Sequence, residues 1–163
     1  MTLDDTKRTL VKELARAKVN LALHITGQRE DSYHTLDSLV VFPELGDLVT
    51  VKPAPQLSLE VSGEFAEKIH DAPENNLVYK AAQMLSEHVP VSSGALIRLE
   101  KFLPVAAGIG GGSADAAATL RALAKLWGAS PSPSDLSKIS LNLGADVPCV
   151  WKKSQPASAA LGK

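Results

Sequence analysis

Residues 104–117 decide the fold and read Pro-Val-Ala-Ala-Gly-Ile-Gly-Gly-Gly-Ser-Ala-Asp-Ala-Ala. The stretch contains four glycines, and a glycine backbone adopts positive φ angles and lets a ligand approach closely. An alanine-rich segment follows, so the sequence predicts a helix over residues 113–127 with Ser113 as its N-cap. Because the free N–H groups and the dipole of a helix N-terminus attract anions, the natural occupant of this loop is a phosphate group.

Other interpretations of this glycine-rich loop fit less well. A Walker A loop ends in Gly-Lys-Ser or Gly-Lys-Thr, and no lysine follows these glycines. The dinucleotide fingerprint requires a third glycine where Ser113 stands, and the acidic residue expected about twenty positions downstream is missing, which disfavours an oxidoreductase. A plain glycine turn that leads into a core helix is the remaining alternative, and the run of four glycines with Pro104 before it argues against that interpretation.

A strand pattern precedes the loop by many residues. Apolar and polar residues alternate over residues 14–25, which predicts one strand whose polar face carries Lys18 and Asn20. An ammonium and an amide at this spacing could hold a hydroxyl group and neutralise charge on a phosphoryl group in transfer. A solvated strand face is the alternative, and the pattern alone favours it. Residues 1–12 are expected to be a polar, frayed leader.

The rest of the chain mixes strands and helices. Further strands are predicted at residues 36–42, 46–52, 57–61 and 95–99, with Gly46-Asp47 marking a turn. A helix is predicted after Asn75 or Asn76 as N-cap, and another begins within residues 131–135 behind Ser134 and ends near residues 142–144. Strands of antiparallel appearance with mixed helices indicate an α+β fold, and the length of 163 residues fits one domain.

Two short motifs add chemically useful side chains. Tyr33 and His34 form an aromatic pair that is suited to stacking on a base and hydrogen-bonding its edge. Asp146 lies in a Gly-Ala-Asp-Val-Pro segment, where a carboxylate could orient a hydroxyl group and accept its proton. Taken alone, the first motif is more typical of packing, and the second is more typical of a turn after a helix end.

The three motifs together resemble the GHMP kinases, the superfamily of galactokinase, homoserine kinase, mevalonate kinase and phosphomevalonate kinase. The glycine loop is similar to the family's Pro-x-x-x-Gly-Leu-Gly-Ser-Ser-Ala. The Ala-Arg-Ala-Lys-Val-Asn-Leu segment at residues 15–21, the Tyr-His pair and the Gly-Ala-Asp-Val-Pro segment resemble one branch whose substrate is a cytidine diphosphate polyol. Ser32 departs from that branch, which usually has glycine there, and implies modest strain. The resemblance covers residues 14–148 and implies the N-terminal domain of the GHMP kinase fold, which is ribosomal protein S5 domain 2-like.

The resemblance also implies roles for individual residues, with ATP and Mg²⁺ as cofactors. Asp146 and Lys18 correspond to the catalytic residues, and Asn20, Tyr33 and His34 to the substrate-binding ones. No side chain of the chain is assigned as a metal ligand, and Asp115 is interpreted as a residue favoured by the helix dipole, with contact to Mg²⁺ as the alternative. The residues expected to bind the nucleotide are Pro104, Gly108, Gly110, Gly111, Gly112, Ser113, Asn76 and Lys101.

The amino-acid composition indicates which kind of partner and which cellular compartment to expect. Seventeen basic and eighteen acidic side chains give a net charge of −1. This is not the excess of positive charge that is typical of proteins that bind nucleic acid or an anionic membrane. The single cysteine, Cys149, cannot form an intramolecular disulfide, so we expect a reducing compartment, the cytoplasm. The partner expected is a small-molecule substrate.

The family continues into a second domain that the resemblance does not reach here. We therefore expect residues 1–163 to be a truncated ATP- and substrate-binding domain without its C-terminal neighbour. A surface left open in this way would favour self-association. Two functions follow as hypotheses: an ATP-dependent kinase that phosphorylates the polyol, or a catalytically incompetent fragment of the same kinase that still binds nucleotide.

Overall fold

The computed structural model describes residues 10–28, 34–69, 72–91, 93–105, 108–144 and 147. Six strands and three helices make up this part of the chain, with short 3₁₀ turns at Ala66–Lys68 and Pro73–Asn75. The strands are β1 Val11–Arg16, β2 Val19–Gln28, β3 His34–Val41, β4 Gly46–Ala54, β5 Ser58–Ser62 and β6 Gly94–Glu100. The helices are α1 Leu77–His88, α2 Gly111–Trp127 and α3 Pro133–Leu143. None of these helices is long and apolar enough to cross a membrane.

The main sheet has four strands in the order β1-β4-β6-β5. Strand β4 lies between β1 and β6 and is antiparallel to both, with Val51 opposite Val11 on one side and Ile97 on the other. Strand β5 is parallel to β6, because helix α1 provides the crossover between them. The mixture of a mostly antiparallel sheet with helices confirms the predicted α+β class.

Strands β2 and β3 form a separate antiparallel pair, in which Val19 is opposite Val41. The prediction of one continuous strand over residues 14–25 is wrong, since the chain leaves the first sheet after β1 and enters the second at β2. Between them the Ala17 N–H donates to Leu45 O and the Lys18 N–H donates to Ile109 O, both at 2.9 Å. Lys18 therefore lies in the connection and not on a strand face shared with Asn20. The predicted leader is also too long, because β1 begins at Val11.

The helix ends show which capping predictions hold. The N-cap of α1 is Asn76, the second of the two predicted candidates, and its Oδ1 accepts a hydrogen bond from the Val78 N–H at 2.9 Å. Helix α2 begins two residues before the predicted cap, with Gly110 as its N-cap, so the prediction that Ser113 caps it is wrong. Ser132, and not Ser134, caps α3, because Pro133 occupies the first helical position, where proline is favoured.

Helix α2 is the centre of the core. It packs against β1, β4 and α1, and its buried face is rich in alanine, which lets the helix lie close to the sheet. Leu120 and Leu123 add the larger side chains on this helix, and both are fully buried. The apolar residues that surround them include Val49, Val51, Val78, Leu85, Ile97, Leu99, Ile139 and Val147.

Leu120→Ala is expected to lower the free energy of unfolding by about 2–5 kcal/mol, because the truncation leaves a cavity between α2 and the sheet. Leu141→Ala is the matched control, since this leucine is 65% exposed, and it should change stability by less than about 1 kcal/mol. Urea unfolding monitored by circular dichroism measures both. Equal losses for the two variants would contradict the placement of α2 at the core.

Candidate functional site

A cavity of about 410 Å³ opens at the first turn of α2. Its walls come from four places in the chain: Ile69 after the first 3₁₀ turn, the start of α1 with the turn before it, the end of β6, and the glycine loop with the first turn of α2. A mixture of apolar walls and a few convergent polar groups is typical of a small-molecule site. The apolar lining residues are Ile69, Leu77, Leu99, Pro104, Val105 and Ile109. The polar lining side chains are Asn75, Asn76, Lys101, Ser113 and Asp115.

The glycine loop presents bare backbone to this cavity. Gly108 and Gly110 have φ angles of 72° and 66°, in the left-handed region that favours glycine. The first helical hydrogen bond of α2 runs from the Ala114 N–H to Gly110 O at 2.9 Å. The N–H groups of the three preceding residues, 111–113, therefore have no acceptor within the helix. Together with the helix dipole they form a concave site for an anion.

Neighbouring side chains enclose this loop on several sides. A Cβ atom at Gly110 would lie 3.5 Å from Cβ of Lys18, and one at Gly112 would lie 3.5 Å from Cδ1 of Leu77. The Lys18 side chain thus runs along the loop, where the hydrogen bond from its own N–H to Ile109 O holds it. The loop is held between the connection after β1 and the start of α1.

A buried ion cluster lies beneath the loop. The Nζ atom of Lys101 lies 2.8 Å from Oδ2 of Asp115 and also forms an ion pair with Asp47. The other oxygen of Asp47, Oδ1, accepts hydrogen bonds from the N–H groups of Phe102 and Leu103 at 2.6 and 2.8 Å. All three charged side chains are at most 4% exposed. Because two carboxylates hold the single ammonium, the charge of Lys101 is directed into the protein.

The two outer members of the cluster differ in how well they are satisfied. Asp47 has partners for both oxygens, whereas Asp115 Oδ1 is buried without a hydrogen-bond partner among the described residues. Burial raises the pKa of Asp115 to about 7, although the ammonium of Lys101 opposes the shift, and Asp47 adds to it. Burial lowers the pKa of Lys101, but the two carboxylates outweigh that effect and raise it overall.

The cavity brings together the residues that the sequence predicts for the nucleotide. Pro104, Asn76, Lys101 and the loop residues Gly108, Gly110, Gly111, Gly112 and Ser113 all line it. Asn20 lies in β2 opposite Val40. His34 begins β3, but its side chain, like Tyr33 and Asp146 as a whole, lies outside the described residues.

Sequence reasoning missed Asp47, which it placed in a turn at the start of a strand. The structure places Asp47 in β4, fully buried, where it pairs with Lys101 in the ion cluster. A signal was available, since a carboxylate at the start of the apolar run Leu48–Val51 needs a buried partner. The same reasoning applies to Asp115 among the alanines of α2.

Three comparisons with known proteins agree with this fold. The family model described as the GHMP kinases N terminal domain matches residues 76–153. The chain is 57% identical over 134 residues to the 4-diphosphocytidyl-2-C-methyl-D-erythritol kinase of Paramagnetospirillum magneticum, covering 82% of this chain and 46% of that relative. It is 50% identical over 154 residues to the enzyme of the same name from Rhizobium johnstonii, covering 94% and 51%.

Solved structures give the same result. A crystal structure of a 4-(cytidine 5'-diphospho)-2C-methyl-D-erythritol kinase superposes with a TM-score of 0.69 and 38% identity, covering 85% of this chain and 48% of that one. The homoserine kinase from Cytophaga hutchinsonii superposes with a TM-score of 0.59 at 17% identity, covering 91% and 45%, which supports the fold alone.

The chain therefore has the fold of the GHMP kinase N-terminal domain, and residues 76–153 match the model of that family. Within that family it is similar to the N-terminal part of 4-diphosphocytidyl-2-C-methyl-D-erythritol kinases. The chain spans about half the length of the curated relatives it matches.

Asp115→Asn is expected to flatten the dependence of stability on pH. The folded chain holds a proton on Asp115 up to a pKa of about 7, whereas the unfolded chain releases it near 3.8. Protonation therefore adds stability that is fully present below about pH 4 and is lost as the pH rises to 7. The wild type should lose up to about 1.4 kcal/mol per pH unit more than the variant in this window.

Urea unfolding of both proteins at several pH values between about 4.5 and 7 measures the difference. Asp135→Asn is the control, because Asp135 is exposed and a hydrogen bond from Ser132 lowers its pKa. The effect of Asp135→Asn on the pH dependence of stability should therefore appear at a pH below the range that is measured. Parallel curves for the wild type and Asp115→Asn would show that the Asp115 carboxyl ionises normally.

Proposed function

We propose that the chain binds ATP in the cavity, with the phosphates on the first turn of α2. We further propose that it serves an ATP-dependent kinase that phosphorylates the 2-hydroxyl of 4-diphosphocytidyl-2-C-methyl-D-erythritol, in non-mevalonate isoprenoid precursor synthesis. The observation that carries the proposal is the pair of positive-φ glycines leading into residues 111–113, which line the cavity and whose N–H groups have no acceptor within the helix. The acceptor is inferred from the names of the relatives.

The cavity offers complementary groups for the rest of the nucleotide. The amide oxygen of Asn76 is occupied by the cap of α1, which leaves its Nδ2 group free of that task to donate a hydrogen bond to the base. Leu77 and Leu99 supply apolar surface for a flat ring. With its ammonium held by two carboxylates, Lys101 would support the loop from below rather than pair with a phosphate.

Mg²⁺ would enter this site with the nucleotide. No group of three or more His, Cys, Asp or Glu side chains that could hold a metal ion occurs in the described residues. This donor set fits an ion that is held mainly by phosphate oxygens and water, which is the usual coordination of Mg²⁺ at nucleotide sites. When bound, the ion neutralises charge on the phosphates.

Phosphoryl transfer needs groups at the far end of the triphosphate. Lys18 runs along the loop next to Gly110, which supports a role for its ammonium in stabilising the charge that develops on the transferred group. Asp146 is proposed to orient the acceptor hydroxyl and take its proton. Asn20, Tyr33 and His34 are proposed to hold the cytidine diphosphate polyol.

A nucleotide-binding domain without turnover is the second candidate function. The observation in its favour is that the chain spans about half the length of its curated relatives. For either function, the net charge of −1 and the single cysteine support a small-molecule partner in the cytoplasm, with no nucleic acid or membrane partner. The exposed Leu21 and Leu39 of the β2–β3 pair, each 61% accessible, support self-association.

Gly110→Ala is expected to weaken ATP binding about five- to thirtyfold, because an alanine at a φ of 66° disfavours the loop conformation by about 1–2 kcal/mol. Gly128→Ala is the matched control, since Gly128 has a φ of 62° but ends α2 at the opposite end from the cavity. Both variants should lose similar stability, and only the first should lose affinity. Isothermal titration calorimetry with ATP and thermal unfolding measure the two quantities, and equal ATP affinities would contradict the phosphate site.

Asp146→Asn is expected to abolish turnover while leaving ATP affinity within about twofold, because the amide cannot accept the hydroxyl proton. ATP consumption with 4-diphosphocytidyl-2-C-methyl-D-erythritol as acceptor, run beside the ATP titration, measures both, with Asp135→Asn as the control. Binding without turnover in the unaltered chain would favour the second candidate function. Turnover that survives in Asp146→Asn would remove this residue from the mechanism.

A further inference from the structure

The buried ion cluster of Asp47, Lys101 and Asp115 lies directly below the proposed phosphate site. A Cβ atom on Gly111, the first residue of α2, would lie 3.6 Å from Nζ of Lys101 and 3.8 Å from Oδ2 of Asp47. The N–H of Gly111 is one of the three groups of the anion site. Any net charge of the cluster therefore acts on a bound phosphate across a short, buried path, where water screens it little.

The net charge of the cluster depends on one proton. Lys101 and two backbone N–H groups donate hydrogen bonds to the two oxygens of Asp47. When Asp115 is ionised, two carboxylates against one ammonium leave a charge of −1 below the anion site. With Asp115 protonated, the cluster is neutral. Lys101 and Asp47 are the charged groups that act on Asp115, and Lys18 lies along the loop above.

We propose that Asp115 is a positioning residue that takes up a proton when nucleotide phosphates occupy the glycine loop. The inference rests on the proposed function. The Oδ1 of Asp115, which is buried and has no hydrogen-bond partner among the described residues, marks the carboxyl whose ionised form is least supported by its surroundings. Its pKa of about 7 in the free chain supports the proposal, since added negative charge nearby moves that pKa further up.

The proposal predicts the direction in which nucleotide affinity changes with pH. Above pH 7 the free chain has lost the proton, so binding must recover it, and nucleotide affinity falls as the pH rises. The fall is up to about tenfold per pH unit until the pH reaches the pKa of Asp115 in the complex. An asparagine at this position is always neutral and keeps an oxygen for Lys101, so the variant should bind without this dependence.

The experiment titrates ADP with Mg²⁺ into the 163-residue chain at about pH 6, 7, 8 and 8.5 by calorimetry. The wild type, Asp115→Asn and the control Asp135→Asn are compared, so that the titration of ADP itself cancels. Buffers of different ionisation enthalpy give the number of protons taken up by each protein. The number of protons taken up by the wild type is measured without reference to a variant, so it stays informative even if Asp115→Asn folds poorly.

The expected result is an uptake approaching one proton near pH 8 in the wild type and Asp135→Asn. Asp115→Asn should show none beyond that of ADP, and its affinity at pH 8 or above should exceed that of the wild type severalfold. Equal uptake and equal pH profiles in the wild type and Asp115→Asn would overturn this inference alone. Absence of ADP binding by every protein at every pH would overturn the proposed function and this inference with it.

Discussion

The carboxylate of Asp47 joins the sheet, the glycine loop and helix α2. One oxygen accepts the N–H groups of Phe102 and Leu103, which lead from β6 toward the loop, and the other pairs with Lys101. Lys101 in turn contacts Asp115 on α2. A buried carboxylate is expensive to desolvate unless its partners are all in place, so these connections form together or not at all. The geometry of the loop is thus tied to the folding of the central strand.

Close backbone packing makes this arrangement possible. Gly46 precedes Asp47, and a Cβ atom there would lie 2.2 Å from Ala15 O, so only glycine lets β1 and β4 meet at this point. On the other side, the alanines of α2 allow the helix to approach β1 and β4 closely. Small residues on both elements therefore bring the ion cluster of Asp47, Lys101 and Asp115 under the first turn of the helix.

The proposed anion site consists of backbone N–H groups and not of a field of positive side chains. This agrees with a net charge of −1, because the local geometry and the helix dipole concentrate attraction at one place. Because the chain has no excess of lysine or arginine, a small change in the charge below the loop is also expected to change the attraction for an anion. The cluster contributes one ammonium and two carboxylates, so its net charge is −1 when both carboxylates are ionised and zero when one is protonated.

The sequence by itself determined the α+β class, the glycine loop, the choice of Asn75 or Asn76 as the cap of α1, and the resemblance to the GHMP kinases, because periodicity, capping and short motifs are encoded within a few neighbouring residues. Only the tertiary structure decided where one strand ends and the next begins between β1 and β2. The alternation of apolar and polar residues runs through Lys18 unchanged. The strand ends there because the Lys18 N–H donates to Ile109 O, far along the chain. The tertiary structure also decided that Gly110 and not Ser113 caps α2, because the loop enters the helix in a left-handed conformation. The pairing of Asp47 with Lys101 joins residues 54 positions apart, and no local pattern records a contact that exists only when the sheet and helix have packed.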